Sequence, residues 1–301
     1  MFDYIFPFMF LASGITANKA LLQTLDSNFL VGIRMLAASI ILLAMAFWAK
    51  KTDFVRRILA HWPYLIILAS FATFLPAILK AYALKHTDSS TVAFIGSLDP
   101  FLTAIYAYFL LNDRMTPYKW LGILLGIAGN IVLIVTHSDA TCSLLGRLSC
   151  AEGAALASVC ISRFGWIKVQ QVLKSHLFSI KEINGLCMLL AGVYALGLTV
   201  MVSPAAFEVS WTLGMVLLFI HTTIVGNVIG YSLYSYLLKH HSATFVSLAG
   251  FSTPLFVYLF GWLFLNEKLY ASFLLASAIT FAGLVIFYAE ELKLIRLNRQ
   301  P

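Results

Sequence analysis

The sequence predicts an all-α integral membrane protein: ten transmembrane helices arranged as two inverted five-helix repeats. Three observations carry that prediction. Of the 301 residues, 61% are hydrophobic and 11% charged, whereas a soluble domain carries about 25% charged residues. Apolar runs long enough to cross a bilayer as helices recur along the chain, and they lack the period-2 alternation of barrel strands. The second half also repeats the first at a constant offset of 154 residues.

Hydropathy and turn signals place the spans at 5–24, 28–48, 62–82, 90–111, 118–136, 149–168, 183–202, 211–236, 242–264 and 270–289. The first holds Lys19 and runs almost directly into the second, with no small-residue cleavage site, so no removable signal peptide is expected. The second is followed by a long link, "AKKTDFVRRILAH", which is basic. The third carries Thr73, Pro76 and Lys80, and the fourth carries Asp99 directly before Pro100. A short link with Cys142 separates the fifth from the sixth, which holds Cys150, Cys160, Arg163 and Trp166. The seventh contains Cys187, and the eighth has His221 at its middle. The cysteine spacings match no zinc or redox motif. Cys142 and Cys150 are a candidate disulfide if their link faces an oxidising compartment. Cys160 and Cys187 read as packing residues.

The repeat needs no gap. "YALKH" at 82–86 falls on "YLLKH" at 236–240, Gly96 and Pro100 on Gly250 and Pro254, and "LNDR" at 111–114 on "LNEK" at 265–268. Shared Lys, His, Pro and Asn residues do not come from hydrophobic composition alone. The match is looser for spans 1 and 2 against 6 and 7. The halves are 1–147 and 148–301. Five helices per half is an odd number, so the halves cross the membrane in opposite directions, a common architecture of secondary transporters. With the N-terminus in the cytoplasm, twelve Lys and Arg residues fall on the cytoplasmic side, counting Lys119 at the very end of its span, and three on the other side. That bias places both termini in the cytoplasm. The net charge of +7 is scattered over loop ends, so a nucleic-acid partner is not expected.

The signature Gly96, Pro100, Asn112, Asp113 and its repeat Gly250, Pro254, Asn266, Glu267 resembles that of the drug/metabolite transporter superfamily, in its EamA-type ten-helix branch. Asp113 stands where Glu is more usual. The resemblance implies a central cavity lined mainly by helices 1, 3, 4, 6, 8 and 9, working by alternating access. It implies a multi-pass protein of a bacterial inner membrane, moving a small metabolite without a cofactor. It does not indicate which metabolite, and homodimerisation stays open.

Asp99 is the first functional candidate. Its repeat partner is Thr253, so the duplicated fold does not require an acid there. It lies roughly 14 Å along its span at 1.5 Å per residue, near the bilayer middle, where a charged group is a functional candidate by default. Ionised, it would pair with a substrate amine; protonated, it would carry a coupling proton. A structural pair with a neighbouring helix is the alternative. Thr103 and Tyr106 follow on the same face. His221, at similar depth, is a hydrogen-bonded core residue or a proton relay with Asp99. Thr73, Pro76 and Lys80 repeat as Asn227, Gly230 and Tyr234, two stripes that read as cavity walls or as close helix packing. Pro76, Pro100, Gly230 and Pro254 are hinge or kink candidates. Trp166, Tyr231, Tyr234 and Tyr106 offer an aromatic cage for an ammonium group. Lys19, Arg34 and Lys80 form a basic vestibule for a carboxylate or snorkel to the interface. Arg163, deeper in its span, is an alternative partner for Asp99. Asp113 and Glu267 read as interface anchors.

Cations in one half of the membrane and an acid at its middle suggest a small zwitterion or amine, such as an amino acid. The rival readings are a membrane-embedded enzyme and a lipid flippase or non-transporting scaffold. The sequence shows no Ser/His/Asp arrangement or metal motif that would support the enzyme.

Overall fold

The computed structural model describes residues 2–48, 54–111, 115–137, 149–241, 246, 250, 252–268 and 271–297. Asn112, Asp113 and Cys142 lie outside them, and with them the expected Cys142–Cys150 disulfide. The described residues form helices α1 Phe2–Leu22, α2 Ser27–Trp48, α3 Phe54–His86, α4 at 89–111 and α5 Pro117–His137. The second half supplies α6 Cys150–Lys174, α7 Ile180–Val202, α8 Leu213–His240, α9 Ser252–Leu265 and α10 Ala271–Leu297. Each predicted span therefore has its helix, and no strand occurs among the described residues. Five helices are long and apolar enough to cross a membrane by length and composition alone: α2, α3, α7, α8 and the 271–289 part of α10.

The main difference from the predicted spans is α3, which begins at Phe54 and not at 62. Much of the basic link is helical because Arg57 is tied down. Its guanidinium donates to Glu182 at 2.8 Å and to the Leu177 carbonyl at 2.6 Å. Glu182 also closes a capping box at the start of α7. Its carboxylate accepts from Ser179 N at 2.6 Å, and Ser179 Oγ accepts from Glu182 N at 3.3 Å. Ser149 and Glu152 do the same at α6. Such caps contribute about 1 kcal/mol each.

The repeat is visible in the backbone irregularities. α3 widens to a π-helix at Ala69–Phe74, just before Pro76, and α8 does so at Thr222–Gly230. Moved by the repeat offset, the first lies within the second. Proline lacks an N–H and its ring excludes the carbonyl four residues back, so the turn before Pro76 bonds five residues back, Leu75 N to Ser70 O. At Pro100 the chain responds oppositely. The turn tightens to a 3-10 helix at Gly96–Leu98, and Asp99 N reaches the Gly96 carbonyl. Thr253 N bonds the Gly250 carbonyl at 2.9 Å in the equivalent place. Pro254 itself stands in the first turn of α9, where a missing N–H is harmless. Both prolines thus sit at tightened turns, a different form of the expected kink.

Packing interleaves the halves. α1 packs on α8 and α9, and reciprocally α6 packs on α3 and α4. Glycines set these crossings. A Cβ on Gly165 would stand 2.4 Å from Ala72 Cα, and one on Gly14 would stand 3.0 Å from Gly226 Cα. Ala72 and Gly226 are repeat equivalents. In addition, α5 pairs antiparallel with α10 and α2 with α7. In the first pair a Cβ on Gly283 would meet the Gly122 carbonyl at 2.6 Å, and one on Gly129 would meet the Ala276 carbonyl at 2.9 Å. These two contacts exchange under the repeat offset, as inverted halves require.

Candidate functional site

The six helices named by the resemblance, with α2 added, surround a central cavity of about 210 Å³. Among the described residues its charged lining groups are Asp99, Arg163, Arg34 and Lys80. Asp99 reaches it because the tightened turn at Gly96–Leu98 ends there. Its repeat partner Thr253 also lines the cavity, as do Gly96 and Gly250. The two halves therefore present equivalent backbone corners to one space, and only one corner carries charge.

Asp99 is paired. Arg163 Nε lies 3.1 Å from Asp99 Oδ1. The same guanidinium donates from Nη1 to Tyr234 Oη at 2.7 Å and from Nε to Ser162 Oγ at 3.3 Å. Arg163 is 8% accessible and Asp99 29%. The arginine is thus held on several sides, while the carboxylate keeps a face toward the cavity. Rings of α1, α6 and α8 close the space beside this pair. Trp166 stands edge-on to Tyr234 at 4.8 Å between centroids and tilted to Tyr231 at 5.7 Å, and Phe8 stands edge-on to Tyr234 at 6.2 Å.

Arg34 and Lys80 are not paired in this way. Arg34 Nε is buried without a hydrogen-bond partner, and so is Asn18 Oδ1 on the same cavity wall. Lys80 lies within electrostatic range of Asp99, Arg34 and Arg163, and no hydrogen bond or ion pair holds it among the described residues. Lys19, the third residue of the expected basic vestibule, does not line the cavity. Its ammonium donates to the Thr87 carbonyl at 2.8 Å, where α3 ends.

Of the residues singled out in the sequence, Asp99, Lys80, Asn227, Tyr231, Tyr234, Trp166, Pro76 and Pro254 line the cavity. Others are spent elsewhere. Thr103 Oγ1 donates to the Asp99 carbonyl at 2.7 Å, and Tyr106 Oη to the Cys160 carbonyl at 3.2 Å. His221 Nε2 meets Ser13 Oγ at 3.2 Å, outside the cavity lining, so the structure does not bring it to Asp99. Thr73, Gly230 and Pro100 are buried in their helices off the cavity wall. Thr73 and Gly230 lie within the π segments of their helices. The cavity face of α3 runs through Ala72, Pro76, Ala77, Lys80, Ala81 and Leu84, and that of α8 through Gly226, Asn227, Tyr231 and Tyr234.

Sequence reasoning passed over Asn18 and Ser162, and named Thr253 only as the repeat partner of Asp99, not as a wall residue. It also misread Glu267. Asn266 ends α9 with φ 54°, in the left-handed region that Asn tolerates. That turns Glu267 back over Gly261, where a Cβ would stand 2.5 Å from the carboxylate. Glu267 then accepts from Ser89 N at 2.8 Å, Ser89 Oγ at 2.9 Å and Ser90 N at 3.4 Å. The signature acid is a cap that one half places on α4 of the other.

Comparison with known proteins agrees with this geometry. A solved crystal structure, 15% identical, superposes with a TM-score of 0.71 over 94% of each chain, which shows the fold. The chain is 27% identical to a Chlamydia trachomatis (serovar L2) protein named S-adenosylmethionine/S-adenosylhomocysteine transporter, over 94% of this chain and 86% of that one. It is 26% identical to a WAT1-related chloroplastic protein of Arabidopsis thaliana, over 95% and 69%. The EamA-like transporter family matches at residues 4–135 and 151–289, close to the two repeats. With both halves matched and the cavity between them, the chain belongs to the EamA-like transporter family and is a multi-pass membrane transporter of a small metabolite.

Proposed function

We propose that this protein carries a metabolite with a zwitterionic amino-acid head group, of the S-adenosylmethionine and S-adenosylhomocysteine class, by alternating access. One observation carries the reading. A carboxylate with a free face, Asp99, stands in a central cavity beside Trp166, Tyr231 and Tyr234. A carboxylate in a site of low dielectric selects a positive centre, here the ammonium or sulfonium of the substrate. The ring faces suit a flat purine and add cation–π attraction. The Chlamydia relative named for these substrates supports the same class. At about 210 Å³ the cavity is smaller than the ~300–1,000 Å³ of ordinary ligand pockets, as suits a contracted state that widens to admit its cargo.

The test is counterflow. Proteoliposomes preloaded with unlabelled S-adenosylhomocysteine should accumulate labelled S-adenosylmethionine, and Asp99→Asn should abolish it. No accumulation by the wild-type protein, with active folded controls, refutes the substrate class.

Proton coupling through Asp99 and His221 has less support, since Asp99 is ion-paired to Arg163 and His221 bonds Ser13. Uptake unaffected by a pH gradient would remove it. The lysine and arginine bias supports cytoplasmic termini, which reporter fusions at each end would check.

A further inference from the structure

The charges around the cavity do not balance. Asp99 neutralises one of three cations. Arg34 and Lys80 remain, both turned to the cavity, one from α2 and one from α3. Arg34 Nε is buried without a partner, and Lys80 has neither ion pair nor hydrogen bond among the described residues. Both residues are part-buried, and a charge at the wall of a low-dielectric cavity with no counter-ion against it is costly to the fold. Two such charges on one wall therefore call for an anion that the protein does not supply. Tyr231 lies within electrostatic range of Arg34, but a phenol does not compensate a guanidinium.

We infer that Arg34 and Lys80, with Asn18 beside them, form a carboxylate subsite that holds the amino-acid head group of the substrate. This rests on the zwitterion reading above and extends it. A guanidinium fork matches the two oxygens of a carboxylate, and an ammonium adds a point charge. The acid and the unpaired cations belong to different helices, α4 against α2 and α3, so one ligand with separated opposite charges satisfies both. A purely cationic amine leaves the two cations bare. A purely anionic ligand leaves Asp99 to Arg163 alone.

The test compares ligands that differ only in the carboxylate, by binding to purified protein. Wild-type protein should bind S-adenosylmethionine about tenfold or more tightly than its decarboxylated form, the size of one charge-assisted contact. In Arg34→Gln and Lys80→Gln that preference should collapse, with the decarboxylated ligand bound as by wild type. The empty variants should melt no lower than wild type, because each removes an uncompensated charge; a structural role would lower melting. Equal wild-type binding of the two ligands, or an intact preference in both variants, overturns the subsite and leaves the substrate class standing. If neither adenosyl ligand binds, the substrate class falls, and the same comparison is made with methionine and its decarboxylated amine. There, a preference that both substitutions remove sustains the subsite; equal binding, or no binding, overturns it.

Discussion

Removing either partner of the Asp99–Arg163 pair should damage the protein in two separable ways. The ion pair is 3.1 Å long and its arginine is 8% accessible. Breaking a buried pair by deleting one partner costs about 3–5 kcal/mol, because the other charge is left bare. Asp99→Asn strands the guanidinium with only Tyr234 and Ser162 as acceptors. Arg163→Met strands the carboxylate. The double variant strands neither, so its stability should return toward wild type, with a coupling of about 0.5–3 kcal/mol between the sites. Transport should behave differently. A charge-assisted contact to the substrate's positive centre is worth about 1.5–3 kcal/mol, or about ten- to a hundredfold in affinity. Asp99→Asn and the double variant should both lose it, whatever their stability. Thermal melting of the purified variants measures the first effect, and substrate titration measures the second. A double variant as unstable as the worse single variant would refute the pairing argument. Wild-type affinity in Asp99→Asn would refute the role of the carboxylate.

Three further expectations follow from the packing. Gly165→Val should abolish folded protein, because its Cβ would stand 2.4 Å from Ala72 Cα, where only backbone movement makes room; Gly14→Ala, at 3.0 Å from Gly226 Cα, should be milder, and yield after size-exclusion chromatography reads both. Glu267→Ala should uncap α4, costing about 1 kcal/mol, read as a lower melting temperature of the purified variant; unchanged melting would deny Glu267 the capping role. His221→Ala should leave counterflow within about twofold of wild type, since the contact it loses is to Ser13.

The sequence made the helices and the duplication legible because both are written in composition and spacing, which tertiary structure cannot alter. It also singled out Asp99, since a midplane acid is costly anywhere except beside a partner or a cavity. What it lost was which residue of a helix face reaches the cavity. Thr73 and Asn227 are repeat equivalents and both lie in π segments, yet their places differ. Asn227 lines the cavity, while Thr73 is buried off it. Glu267 was hidden for another reason. Its role depends on Asn266 reversing the chain and on Gly261 leaving room, and its partner Ser89 is distant in sequence. The capping boxes at Ser149 and Ser179 were legible in the spacing to Glu152 and Glu182, an S-x-x-E pattern that hydropathy reading passes over.

Two glycine-seated helix pairs bear on how the halves hold together. In α5 with α10, and in α2 with α7, glycines let one backbone rest on its neighbour, as with Gly192 against Leu36 and Gly283 against the Gly122 carbonyl. Each pair joins a helix of one half to a helix of the other. The halves are therefore stitched along two edges and cannot part like the covers of a book. Close contact along both edges resists a parting of the halves at either one. An opening of the central cavity that spares both stitches would have to come from the remaining helices, α1, α3, α4, α6, α8 and α9, all of which line that cavity.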